Sequence, residues 1–464
     1  MKTLSVLAAA LVLAGCANLA PDYRRPAAPV PQNWAAAPAG AEAAAPAAAD
    51  QPWQQFFTDE RLRALIGQAL QHNRDLRVAA LNIERARALL RIEQADRLPT
   101  VSAGVGAAAQ RTPGSLSASG RAETTRRYDA SLGIAAYELD FFGRVRSLSD
   151  AALQEFLATE QARHSAQISL VAEVANAYLA LAADRERQRL ARETLDNQRS
   201  AHALIQRRVE SGVASQLDMR RSQTTVDAAR ADLARYTAQA AQAENALAVL
   251  VGAPLQPGAL PDSLAPVAAL EALPAGLPSE VLQRRPDIRG AEHRLQAAHA
   301  QIGAARAALF PRITLTASGG VASRALSDLF QGGSGAWSFI PQLTLPLFDS
   351  GRRRAAVQVA QAERSIALAE YEGAIQRAFR EVADALAVRS TLGEQLEAQQ
   401  SLVAAAADTY RLSDIRFRQG AQSYLEVLDA QREMYAAQQA LIGVRLTRLT
   451  NQVTLYKALG GGWS

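Results

Sequence analysis

Apolar positions along this chain follow two different periods, and the period changes at repeated places. From Leu62 to Leu98, and again from Ser279 to Leu309, apolar residues recur at helical spacing, and Pro99 and Pro311 close the two stretches. Past each proline the period falls to two. In Ile313-Thr314-Leu315-Thr316-Ala317-Ser318 the odd positions are apolar and the even ones hydroxylated. Trp337-Ser338-Phe339 and Leu343-Thr344-Leu345 continue that alternation as far as Pro346. Val101, Ala103 and Val105 do the same earlier in the chain, as do Tyr128, Ala130, Leu132 and Ile134. The pattern predicts four strands, near residues 100–111, 127–139, 312–321 and 335–346. The links between them, Thr112 to Arg126 and Ser323 to Ser334, are rich in Gly, Ser and Arg and read as exposed loops.

Helical spacing then returns over much longer stretches. Arg144 to Arg208 holds 65 residues without a proline or glycine, enough for a helix of about 97 Å. Apolar residues at 168, 171, 175, 178 and 182 follow 3-4-3-4 spacing. Ile375, Phe379, Val382 and Leu386 repeat it, and so do Ile442, Leu446, Leu449, Val453 and Tyr456; these are coiled-coil seams. Gly212 stands where a helix end needs left-handed backbone, and Ser215 with Asp218 has the spacing of a capping box for the returning helix. Gly420, Ser423 and Glu426 repeat that arrangement. Two helical hairpins are expected, with tips at Ser211, Gly212, Val213, Ala214 and Ser215 and at Gln419, Gly420, Ala421, Gln422 and Ser423. The tips are expected to lack the apolar seam that packs the coils.

The chain is written twice. Arg208-Val209-Glu210-Ser211-Gly212 recurs as Arg416-Phe417-Arg418-Gln419-Gly420, an offset of 208 that also carries Gly143-Arg144 onto Gly351-Arg352 and Gly252 onto Gly460. Upstream the offset is 212, taking Asp75-Leu76 to Asp287-Ile288 and Leu98-Pro99 to Phe310-Pro311. An internal duplication follows, with repeat 1 over residues 53–252, a proline-rich connector over 253–278, repeat 2 over 279–460 and a tail at 461–464.

Composition narrows the function. Of the 464 residues 49% are hydrophobic but only 5% aromatic, which favours close helix packing over a large globular core. Net charge is +5, almost all of the positive charge is arginine, and it is too dispersed for a nucleic-acid binder. One cysteine excludes internal disulfides and thiolate metal clusters. Beyond the N-terminus no run approaches 18 uninterrupted apolar residues, which argues against a helical membrane span. There is no phosphate-binding Gly-rich loop, no His-Glu-x-x-His and no Gly-x-Ser-x-Gly, so an enzyme is not expected, nor any cofactor or metal. The five histidines are scattered, and surface roles are expected for them, His293 and His299 included.

Residues 1–15 read as a secretory signal, ending in Leu13-Ala14-Gly15-Cys16, which resembles a bacterial lipobox with Cys16 as the acylated first residue. Ala17 after it, by resemblance to lipoprotein sorting, implies the outer membrane. Residues 16–52 form a Pro/Ala tether, read as a strap from the lipid to the body. Long alternating strands suit a membrane barrel, but four strands cannot close one when the smallest have about eight. Several chains must therefore contribute.

Several motifs together resemble the TolC-type outer-membrane factor family, in its OprM/NodT-like lipoprotein branch. They are the lipobox followed by Pro21-Asp22-Tyr23-Arg24-Arg25-Pro26, Arg285-Pro286-Asp287-Ile288 with Ala291-Glu292, Ile302-Gly303-Ala304-Ala305, Phe310-Pro311, and the stretch from Arg416 through Gln431. The resemblance implies a mainly α chain with a membrane β part: a homotrimer with a 12-stranded barrel continuing into a 12-helix periplasmic tunnel. It also implies a passive exit duct for toxic small molecules, joined through a periplasmic adaptor at the hairpin tips to an inner-membrane pump. Other expectations stay open: a duct for protein secretion or metal export, or a lipid-anchored coiled-coil protein without a pore. At the 208 offset Asp408, Arg411 and Asp414 replace Ser200, Ala203 and Gln206, so at these positions only repeat 2 carries acids on the approach to its tip. Three such hairpins about one axis would form an acidic gate, with Arg411 within a helical turn of both aspartates.

Overall fold

A computed structural model describes residues 18–34, 51–265 and 279–462; Cys16, the signal and about half of the tether and of the connector lie outside the described residues. The chain divides into two compact units. One takes residues 1–27, 82–160 and 290–371, and the other takes 28–81, 161–289 and 372–464.

The elements run in the same order in both repeats. Repeat 1 has α1 (Trp53–Phe56), α2 (Glu60–His72), α3 (Arg74–Ala95), β1 (Val101–Thr112), β2 (Glu123–Glu138), α4 (Arg144–Glu210) and α5 (Gln216–Val251). Repeat 2 has a 3₁₀ turn (Ser279–Arg284), α6 (Pro286–Ala307), β3 (Arg312–Ser323), β4 (Gly335–Thr344), α7 (Arg352–Arg418) and α8 (Tyr424–Ala458).

The single helix expected over Leu62–Leu98 is two. Asn73 turns to extended backbone (φ −62°, ψ 133°), and its side-chain oxygen accepts the Leu76 N–H at 2.9 Å, capping α3. The stretch from Ser279 is likewise broken, because Pro286 opens α6 at its first helical position, where a missing N–H costs nothing. β2 starts four residues earlier than expected, since its ladder to β1 continues to Thr112↔Glu123. Glu123, Thr124, Thr125 and Arg126 are therefore strand residues rather than loop.

In the first unit the strands form one antiparallel meander in the order β1-β2-β3-β4. A bulge between Ile134 and Tyr137 in β2 puts Ala136 at φ 51°, and the Ala136 N–H is satisfied by Thr316 Oγ1 at 3.1 Å. Below the sheet, Glu138 takes Arg144 through two bonds of 2.8 Å and Arg312 at 2.6 Å, tying β2, α4 and β3. Ala151, Ala297 and Ala300 form a small-residue contact between α4 and α6, as the alanine-rich composition requires.

In the second unit the seam residues Ile168, Val171, Ala175, Tyr178 and Ala182 are all buried, as are Ile375, Val382, Ile442, Leu449, Val453 and Tyr456. One 18-residue window of α4 is apolar enough to cross a membrane by composition, but 61% of it is buried within the chain, as a packed seam should be. Phe56 stacks on Tyr456 at 4.0 Å, and the Tyr456 hydroxyl donates to the Gln51 carbonyl. Arg285, nearly fully buried, donates to both Asp287 oxygens, to Glu381 at 2.9 Å and to the Ala458 carbonyl at 2.7 Å.

Candidate functional site

Three surfaces carry the chemistry of a duct. The first is the sheet. β3 pairs with β4 so that Ile313 meets Leu343, Ala317 meets Phe339 and Gly319 meets Trp337, all on one face. Trp337 is 83% exposed and Val105 87%, so among the described residues nothing covers this apolar face. The other face carries Thr314 opposite Gln342 and Ser318 bonded to Ser338 at 2.8 Å. β1 and β4 are the sheet's edges among the described residues, and Pro341 sits in β4, an edge being where a sheet tolerates proline. An apolar outer face, a polar inner face and two open edges are one sector of a membrane barrel.

The second surface is the pair of hairpin tips. Gly212 and Gly420 have φ 74° and 77°. The N–H of Val213 reaches back to the Arg208 carbonyl at 2.8 Å, and that of Ala421 to Arg416 at 2.9 Å, closing both helices with the left-handed turn expected from the glycines. Ser215 makes its capping box with Asp218. Ser423 does not make one: its side chain caps no backbone N–H, and Glu426 is instead held by Gln422. Val213 stands 71% exposed at its tip. The turns themselves lack an apolar seam, yet one lies directly beneath them. Ile205, Tyr424, Val427 and Leu428 form a buried cluster with Val209, Met219, Tyr410 and Phe417 against it. Arg208 caps the Phe417 ring at 4.7 Å, so the two hairpins are joined just below their turns. Burial pushes the Tyr424 hydroxyl up to about 12. Alongside, a groove of about 550 Å³ opens between α5 and α8, lined by Arg221, Asp232, Leu425, Arg432 and Tyr435 among others.

The third surface is the acidic approach to the second tip. Arg411 pairs with Asp408 at 3.4 Å but not with Asp414, whose partner is Arg418 at 2.8 Å. Arg418 lies four residues on rather than three, and sequence reasoning had not assigned it. Asp414 is the more sheltered acid, beside Tyr410, whose hydroxyl burial and then the Asp414 charge push up. Asp408 and Arg411 are well exposed, and such a pair contributes little to stability.

His299 corrects the expectation of a surface role: it is buried, its Nε2 faces Arg364 Nε at 3.1 Å and Tyr23 packs edge-on against it. Burial first, then Arg364, holds it below its ordinary pKa. Among the described residues no group of three His, Cys, Asp or Glu side chains is placed to hold a metal.

A sequence profile for the family described as outer membrane efflux protein matches residues 65–253 and 277–461, one stretch in each copy of the repeat. The antibiotic efflux pump outer membrane protein ArpC of Pseudomonas putida is 49% identical over 467 residues, covering 99% of this chain and 95% of the relative. The toluene efflux pump outer membrane protein TtgC of the same species matches to the same extent. The open-state crystal structure of the Neisseria gonorrhoeae MtrE outer membrane channel superposes with a TM-score of 0.87 at 39% identity, over 96% of this chain and 99% of that one. With four strands and four long helical segments per chain, the protein has the trimeric TolC-type fold, a third of a 12-stranded barrel and 12-helix tunnel. The chain belongs to the outer membrane efflux protein family and is an outer-membrane channel of an efflux pump.

Proposed function

We propose that three copies of this chain form a passive exit duct for small toxic, largely apolar molecules, fed by an inner-membrane pump through a periplasmic adaptor. The carrying observation is the four-stranded meander, whose two edges are open and one apolar face uncovered among the described residues, and pairing with further copies would satisfy its edge N–H and C=O groups. The substrate class is taken from the relatives, whose names speak of antibiotic and toluene efflux. We assign the adaptor contact to residues 211–215 and 419–423, whose exposed turns stand on a rigid apolar base. Asp408 with Arg411 and Asp414 with Arg418 are assigned to the gate, and Cys16 to acylation.

Crosslinking in detergent is expected to give trimers, and a product no larger than a dimer would overturn the barrel. Val213→Trp and Ala421→Trp should reduce efflux with trimers intact. Asp408→Ala with Asp414→Ala should raise single-channel conductance, and parental conductance would remove both acids from the gate.

A further inference from the structure

The membrane face of the sheet is not apolar over its whole height. Gly319 pairs with Trp337 on one side and Leu132 on the other, and Leu132 pairs with Ala103, so these four share that face. Steps of two from Ala103 lead through Val105, Ala107 and Ala109 to Arg111 on the same face. Steps of two from Leu132 lead through Ala130 and Tyr128 to Arg126, which pairs with Ala109. Arg111 pairs with Thr124, two residues further along the ladder. The two arginines are therefore diagonal neighbours, about 7–8 Å apart. Both are exposed, and neither has an acidic partner among the described residues.

Charge on this hairpin is sorted by face. Glu123 and Asp129 stand at odd positions of β2 and lie on the inner face, where Asp129 pairs with Arg127 at 3.4 Å and Glu123 accepts the Ser119 hydroxyl. No carboxylate shares the membrane face of β1 and β2 with Arg111 and Arg126. The pair also sits at a defined height. α3 precedes β1, so Arg111 marks the strand end farthest from the helices. The ten steps from Val101 rise about 34 Å along the strand and about 26 Å along the membrane normal at a tilt of about 40°. That matches the apolar band of a barrel, about 25 Å tall. An arginine facing lipid is costly at the midplane but costs little at this edge. Repeat 2 lacks the pair: the 212 offset takes Arg111 to Ser323 and Ala109 to Val321, and Val321 pairs with Gly335 where Ala109 pairs with Arg126.

We propose that Arg111 and Arg126, with Thr124 beside them, bind the phosphorylated headgroup of a lipid in the membrane leaflet farthest from the helices. A phosphate monoester carries nearly two negative charges and three acceptor oxygens. Two forked guanidinium groups and one hydroxyl match that set. The small side chains of Ala103, Ala107, Ala109 and Ala130 keep the face below shallow, so that an acyl chain of the same lipid lies along the strands. Each chain holds one such pair, and a trimer holds three. The site is on the outside of the barrel and takes no part in the duct.

Native mass spectrometry of the full-length trimer in detergent tests this, with bisphosphorylated lipid A and the same lipid stripped of its phosphates as probes. The phosphorylated lipid is expected to bind, and Arg111→Gln with Arg126→Gln should weaken it at least about tenfold. Arg111→Lys with Arg126→Lys keeps the charge but loses the forked donors, and should fall between the two. Arg126→Gln alone should weaken binding, while Arg127→Gln, the same change one residue on and on the inner face, should leave it at the parental value. Parental affinity in the double Gln variant would overturn the site. Equal loss in Arg126→Gln and Arg127→Gln would reduce it to net charge and overturn it too. So would equal binding of the stripped lipid. Displacement of the lipid by excess inorganic phosphate would make this a site for a free ion and overturn the lipid's part in it.

Discussion

The roots of the two repeats use equivalent positions for the same clasp, with different chemistry. In repeat 1 Asn73 Nδ2 donates to the Leu250 carbonyl at 2.9 Å, two residues before Gly252. In repeat 2 Arg285, at the 212 offset, donates to the Ala458 carbonyl at 2.7 Å, two residues before Gly460. Both glycines have positive φ, 71° and 84°, and at Gly252 a Cβ would come within 2.5 Å of the His72 carbonyl. The amide is neutral and needs no counter-charge. The buried guanidinium is stable only because Asp287 and Glu381 compensate it. The corresponding acids of repeat 1, Asp75 and Glu173, are present and exposed, as Asp287 and Glu381 also are (43% and 51%), but the clasp residue there is a neutral amide. A single change at the clasp thus decides whether a buried charge must draw two half-exposed carboxylates into pairing.

The largest expected effect breaks that comparison directly. Arg285→Ala removes the bond to the Ala458 carbonyl and two pairings to carboxylates that water can then solvate, and should cost about 2–3 kcal/mol. Asn73→Ala loses one hydrogen bond and a helix cap and should cost about 1–2 kcal/mol. Thermal unfolding in detergent measures both, and equal losses would mean the charged network adds nothing to the clasp.

A pH dependence sharpens the contrast between α6 and α3, where the 212 offset puts Arg87 at the place of His299. His299 is held neutral by burial and by Arg364, facing Tyr23, with Glu292, Arg25 and Tyr371 nearby and the Pro21 carbonyl opposing the shift. Its native pKa is lowered, so below the ordinary value near 6.5 a state with the N-terminal strap released from α6 binds a proton that the packed state refuses. Strap attachment is therefore full above that pH and weakens as pH falls through it, by up to about tenfold per unit. Trypsin nicking at Arg24 against pH reads this, and His299→Gln should flatten the profile. An unchanged slope in that variant would place the titration elsewhere.

The smallest effect separates the tips. Ser215→Ala removes a formed capping box and should cost about 1 kcal/mol of local stability, while Ser423→Ala should cost under about 0.5 kcal/mol. Hydrogen exchange at Asp218 and Glu426 compares them, and equal loss would show that Ser423 caps its helix in solution.

Much was legible in the sequence because it was written in spacing. Period two gave the strands, 3-4-3-4 spacing gave the seams that bury Val171, Tyr178 and Val382, and Gly212 and Gly420 gave the turns, since local backbone chemistry decides each of these. The duplication was a matter of numbering alone. What only the tertiary structure decided are pairings between residues far apart in the chain: Arg25 with Glu292, Arg285 with Ala458, Arg208 over Phe417. Arg285 and Glu292 stood inside motifs that signalled a family, but no period or cap distinguishes them from other charges. Even within one helix, spacing alone did not decide that Asp414 pairs with Arg418 while Arg411 pairs with Asp408. Spacing encodes which face of an element is buried, and partners across elements are set only when those faces meet.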